Sequence, residues 1–158
     1  MNAKLITQWS EYGSAVQKTL FLATDSLRIF DPDLVRLNLE TRENALFLRD
    51  FLASAPRVKL QIVLRNAEPF RCGSPRLFQL LRDFPHRMQV WECAPQLLNM
   101  TDAMLLSDDR HAVIRFHQDH ARSRVIIDDA DACRGYHTRF DEILAEGGTP
   151  ISATTLGL

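Results

Sequence analysis

The sequence predicts an α/β fold with a mixed, mostly parallel sheet flanked by helices. Three observations predict it. Up to about residue 93, segments with apolar residues at helical spacing alternate with short apolar, β-prone runs, the order that builds parallel sheets. Ala103 to Ser107 and His111 to Phe116 are then separated only by Asp108-Asp109-Arg110. That pattern reads as an antiparallel hairpin and makes the sheet mixed. The chain has 158 residues, 46% hydrophobic and 25% charged, which is the balance of a soluble globular domain and excludes disordered and fibrous classes.

Trp9, Tyr12, Val16, Leu20 and Ala23 form one stripe, so a first helix runs from Ser10 to Ala23. Leu27 to Phe30 alternates and is stopped by Asp31-Pro32-Asp33, because proline donates no ladder hydrogen bond. Thr41 reads as the N-cap of a second helix carrying Ala45, Leu48, Phe51 and Leu52, ended by Ala55-Pro56. Val58 to Leu64 is the most apolar strand of the first half and is expected in the sheet interior. Asn66 to Gly73 reads as a loop. Ser74-Pro75 starts a third helix, with Ser74 as cap and proline at the first helical position, closed by Phe84-Pro85.

Met88 to Cys93 is a further strand, and Ala94 to Met100 a loop or a single turn. After the hairpin, Val125 to Ile127 is a last short strand. Asp129 caps a final helix carrying Ala132, Cys133, Tyr136, Phe140, Ile143 and Leu144, and Gly147-Gly148 ends it. The last ten residues are small and polar and are expected to be partly loose. The order is α-β-α-β-α-β-β-β-β-α. It reads as one domain over 1–158, with a core at about 12–146 and a tail at 147–158.

Charge excludes more than it selects. Nineteen basic residues against 20 acidic ones give a net charge of -1, so no bulk basic field exists and nucleic acid is not an expected partner. No apolar run approaches the roughly 18 residues of a membrane helix. Met1 to Trp9 lacks a basic stretch followed by an apolar core, and Cys72, Cys93 and Cys133 form no C-x-x-C pair. Reduced thiols in the cytoplasm are the expectation. Sixteen of the 19 basic residues are arginine, a bias that fits coding preference before it fits anion binding.

Familiar reactive motifs are missing. There is no G-x-S-x-G elbow, P-loop or dinucleotide fingerprint, so no cofactor is expected. His117-Gln118-Asp119-His120, with His111 nearby, has the residue types of a zinc site but reads first as a polar loop after a strand. No metal is expected. Asp128, Asp129 and Asp131 stand where a helix start favours carboxylates, so capping explains them before magnesium does. Arg65, Arg71, Arg76, Arg122 and Arg124 read first as surface arginines. Arg65, however, stands where a parallel strand ends, the edge at which open α/β sheets bind ligands. Arginine also grips phosphate bidentately. An anion pocket, if one exists, is expected at Arg65, Thr101 and Asp102.

Four segments in order carry a family resemblance. They are Ala23-x-x-x-Leu27-x-Ile29, then Asp33-Leu34 followed by a helix and Val58-Lys59-Leu60-Gln61-Ile62-Val63-Leu64. The run Thr101 to Arg110 follows, and then Val125-Ile126-Ile127-Asp128-Asp129 with Phe140-Asp141-Glu142-Ile143-Leu144. The chain resembles one half of a phospholipase D-type domain over about residues 12 to 146. It also resembles a small group of bacterial domains of this fold that occur alone or fused to acetyltransferases. The family's chemistry uses H-x-K-x(4)-D. The histidine attacks phosphorus, the lysine neutralises a phosphate oxygen from the same strand face, and the aspartate holds the assembly.

The best register puts Thr101 at the histidine, Ala103 at the lysine and Asp108 at the aspartate. The register one residue later, Asp102, Met104 and Asp109, is no better. The family's G-S-x-N segment is absent, and Ala121-Arg122-Ser123-Arg124 stands near its place. The resemblance thus implies the fold with no catalytic residues: a non-catalytic module acting by binding or assembly. It further implies a homodimer joined across the motif-bearing edge, and an acetyltransferase-type partner. The alternative is a phosphodiesterase or nuclease-type hydrolase with a site rebuilt from Asp102, Asp108, Asp109 and His111.

Overall fold

In the computed structural model of the chain, residues 3–153 are described. In chain order the elements are β1 (Ala3–Ile6), α1 (Trp9–Phe21), β2 (Ser26–Asp31), α2 (Arg42–Ala53), β3 (Lys59–Leu64), α3 (Glu68–Gly73), α4 (Pro75–Asp83) and β4 (Met88–Cys93). Then follow β5 (Ala103–Ser107), β6 (His111–Arg115), β7 (Ser123–Ile126), α5 (Ala130–Ala145) and β8 (Gly148–Pro150). They form one sheet of order β1-β7-β6-β5-β2-β3-β4-β8.

The sheet is mixed and flanked by helices, as the sequence predicts, but its parallel share is smaller than expected. Only β2–β3 and β3–β4 of the seven pairings are parallel. The α-β alternation dictates a parallel order for β2, β3 and β4 alone. The hairpin then continues antiparallel into β7 and β1, and β8 closes antiparallel on β4.

Strand parity divides the core in two, because successive side chains point to opposite faces. Leu27, Ile29, Leu60, Ile62, Leu105 and Val113 pack under α1, α2 and α4. Phe30, Val63, Met104, Leu106, Ile114 and Ile126 meet Cys133, Phe140 and Ile143 of α5. The predicted caps at Thr41 and Asp129 are made: each side-chain oxygen accepts the amide three residues on, at 3.2 and 3.0 Å. Gly147 ends α5 at φ +85°, a conformation that suits glycine.

Three expectations are corrected. Glu68–Gly73 is a short helix rather than loop: Asn66 Oδ1 accepts the Glu68 amide at 3.1 Å, and Phe70 is fully buried. Ser74 gives α4 no side-chain cap. The Glu40 carboxylate does so from a distant loop, accepting the Arg76 and Leu77 amides at 2.7 and 3.1 Å. Part of the tail expected to be loose is fixed: β8 pairs with β4, the Ile151 amide donates to the Val90 carbonyl at 2.8 Å, and Ile151 and Ala153 are buried. The rest of that tail, 154–158, lies outside the described residues.

Candidate functional site

The end of β2 lies beside the start of β5, since these strands run antiparallel with Phe30 opposite Met104. β6 then places Arg115 opposite Ala103. One sheet edge therefore gathers Asp31, Arg65, Thr101, Asp102, Ala103 and Arg115. It is the carboxyl edge of the parallel strands, where open α/β sheets form their crevices.

On the face under α1, the edge is filled. The Arg115 Nη2 donates to Asp31 Oδ1 at 3.1 Å, and the two side chains are only 1% and 2% exposed. Asp31 Oδ2 accepts the Leu34 and Asp33 amides at 2.7 and 3.1 Å, which holds Leu34 at an uncommon φ of +73°. The Arg115 guanidinium lies 5.0 Å from the Tyr12 ring centre and 5.7 Å from that of Trp9. Arg36 stacks on the same indole at 3.7 Å. Nε and Nη1 of Arg115 have no hydrogen-bond partner among the described residues, so ring faces supply the remaining contact. Burial pushes the Asp31 carboxyl above its ordinary range, while Arg115 and the two amides pull it back. Burial also pushes the Tyr12 phenol well up, with Arg115 opposing.

On the opposite face, Arg65 follows β3 with 8% exposure and lies 4.8 Å above the Phe30 ring. Its Nη2 donates to Gln118 Oε1 at 3.0 Å, and its buried Nη1 has no partner among the described residues. Burial pulls this guanidinium below its ordinary value, and Asp31 and Asp102 act against that shift. Asp102 is gripped by both terminal nitrogens of Arg139 on α5, one of them at 2.8 Å. The Gln118 amide donates to the Thr101 carbonyl at 2.6 Å, and Thr101 itself is exposed. Arg65, Thr101 and Asp102 thus share one edge. Arg115 with Asp31 and Arg139 with Asp102 close two ion pairs, and one positive charge remains on Arg65.

The sequence reading missed Arg115, Gln118 and Arg139. Arg115 had a usable signal, because a hairpin symmetric about Asp109 puts residue 115 opposite residue 103. Gln118 and Arg139 had none, since a loop and a helix 21 residues apart in sequence meet only through the tertiary fold. The other suspected arginines serve separate contacts: Arg71 with Glu92, Arg76 with Glu40, Arg122 with Phe116 and Arg124 with Tyr136.

Asp108 lies at the far end of β5. Its carboxylate accepts the amides of Thr24, Asp25 and Ser26 at 3.1, 2.8 and 3.1 Å, and its own amide donates to the Ser26 carbonyl at 2.8 Å. It stands at φ +53° and ties the hairpin to the start of β2. The five residues of β5 span about 17 Å. Asp102 is therefore remote from Asp108, Asp109 and His111, and these four do not form the single rebuilt site of the alternative reading.

The histidines are also dispersed. His111 Nδ1 accepts the Asp128 amide at 2.9 Å, and His117 Nδ1 that of Asp119 at 3.1 Å. Among the described residues, no three His, Cys, Asp or Glu side chains gather to hold a metal. His137 Nε2 lies 2.9 Å from the Asp108 carbonyl, so that nitrogen carries the proton, and Nδ1 faces Arg28 at 3.4 Å. Burial, then Arg28, lowers its pKa.

Residues 10–149 match the family model described as a domain of unknown function, DUF7931. No curated protein matches the sequence. Among solved structures the chain is similar to TrmBL2, described as an archaeal chromatin protein with a novel mode of DNA binding. The TM-score is 0.69 at 15% identity, over 94% of this chain and 54% of that one, so this chain spans about half its length. It is similar to Nuc, a phospholipase D family member from Salmonella typhimurium, with a TM-score of 0.59 at 12% identity over 95% and 99% of the two chains. NucT from Helicobacter pylori gives 0.56 at 12% over 93% and 98%. The fold is that of phospholipase D family members.

Two outcomes follow from the geometry. Arg115→Met strands the Asp31 carboxylate in the core and is expected to cost about 3–5 kcal/mol in urea unfolding. Asp31→Asn added to that variant is expected to restore part of the loss. For His137, a folded-state pKa below the ordinary 6.5 means that the unfolded chain takes up the proton first. Stability is therefore expected to fall as pH drops below about 6.5, and His137→Gln to flatten that slope between pH 8 and 5.5.

Proposed function

The chain belongs to the DUF7931 family, and from its motif edge we propose a phospholipase D-like module that binds or assembles without hydrolysing phosphodiesters. The Arg115–Asp31 pair carries this reading. Phosphoryl transfer through a covalent intermediate needs a nucleophile and, on the same face of the strand, a free cation facing the phosphate. Here the strand offers Thr101 and Ala103, and the neighbouring cation, Arg115, is neutralised and sealed beneath Trp9 and Tyr12.

Binding falls to the other face of the same edge. Arg65 is the charge left over, and it would take a carboxylate or phosphate monoanion, with Thr101 exposed at the same edge and Asp102 held back by Arg139. Assembly would join two copies across this edge, and an acetyltransferase-type protein is the further partner. A net charge of -1 argues against nucleic acid. The fold does not support that exclusion, because a DNA-binding chromatin protein shares it. Among the described residues no helix is long and apolar enough to cross a membrane.

Bis(p-nitrophenyl) phosphate, offered with magnesium, zinc or a chelator, is expected to give no turnover above the buffer blank. Turnover that is lost in Thr101→Ala overturns the non-catalytic reading. Light scattering at micromolar concentration is expected to return twice the 18.1 kDa chain mass, and a clean monomer removes the pairing.

A further inference from the structure

A groove of about 420 Å³ runs between α1 and the β1–β7 end of the sheet. It exists because α1 packs over β5 and β6 and leaves this end of the face without a helix. The α1 stripe that looks into it is short, made of Ser10, Ser14 and Ala15. Its floor is apolar: Ile6, Val125 and Ile127.

Three charged residues line it, and one is already used. The Glu11 carboxylate accepts the Gln8 and Thr7 amides at 3.3 and 3.5 Å, closing the start of α1. Lys4 and Lys18 form no ion pair among the described residues. Both stand on the side of the groove away from the β1–α1 turn, Lys4 directly opposite Val125 and Lys18 farther along α1. Only Thr7 and Gln8 join β1 to α1, so the helix runs back beside the strand. Lys18 lies about 12 Å from Ser10 along the helix, and Lys4 about 7 Å from Ile6 along the strand. Both displacements lead away from the turn.

We propose that this groove binds an anionic amphiphile, its acid head between Lys4 and Lys18, level with Val125, and its alkyl chain running toward the turn along Ala15 and Ile6. The volume and lining are those of a small-molecule site, in which apolar walls bury the body and a few charges fix its orientation. Two ammonium groups without carboxylate partners select the sign of the head. The 12 Å of helix between Ser10 and Lys18 sets a medium chain length. The groove shares no lining residue with the Arg65 and Arg115 groups, so it stands independently of the reading of that edge.

Decanoate titrated into the full chain tests this, followed by amide NMR shifts and calorimetry, with decyltrimethylammonium as the sign-reversed control. Saturable shifts are expected in β1 and in α1 from Ser10 to Lys18, with decanoate at least tenfold tighter than the cation. Lys4→Gln with Lys18→Gln is expected to weaken decanoate at least tenfold. Ser14→Phe, which fills the groove from an exposed position, is expected to abolish binding with the native spectrum kept. Absent saturation at millimolar decanoate, equal affinity for both amphiphiles, or full affinity in either variant overturns the proposal.

Discussion

The Arg115–Asp31 ion pair is the constraint on which the carboxyl edge of the parallel strands depends. It joins β6 to β2 across β5, fixes the loop after β2 through two amides, and provides the charge that Trp9 and Tyr12 cover. A pair this deeply buried repays its desolvation only when both partners stay and their hydrogen bonds are in place. Every group near it is therefore committed to structure. The small Ala103 side chain belongs to the same arrangement. A longer side chain there would compete with the guanidinium directly opposite for one volume.

The two faces of this edge consequently differ in character. Under α1, charge is matched and water is excluded. Under α5, Asp102 and Arg139 are matched, and the hydrogen bond that Arg65 makes among the described residues goes to the neutral side-chain amide of Gln118. A guanidinium with one buried nitrogen lacking an acceptor is costly to hold. Its stacking on Phe30 and the nearby negative charges of Asp31 and Asp102 offset part of that cost. The amide that covers it, Gln118, comes from a loop rather than from a strand or helix.

Local signals and hydrophobic period made most of the fold legible. Thr41 and Asp129 cap as their positions in the sequence indicate, and Gly147 stops α5 in the left-handed conformation expected of a helix end. The hairpin at Asp108 to Arg110 is read correctly because two short apolar runs are separated only by three polar turn residues. What escaped is short or contributed from afar. β1 and β8 have four and three residues, too few for alternation to register. Glu40 caps α4 across 36 positions, and no local pattern announces that. At the site, the absence of histidine and lysine at 101 and 103 is plain in the sequence. The partners that complete the edge, Gln118 and Arg139, become visible only once the strands are in register.

Asp108 shows how much backbone one carboxylate at a hairpin turn can hold. Three amides at the start of β2 rest on its carboxylate, whereas Thr101 points to solvent and supports nothing comparable. Replacing Thr101 would therefore cost folding little, whereas removing the Asp108 carboxylate would strip three amides of their acceptor at once. An aspartate at such a turn is accounted for by the backbone it anchors, and by itself says nothing of hydrolysis.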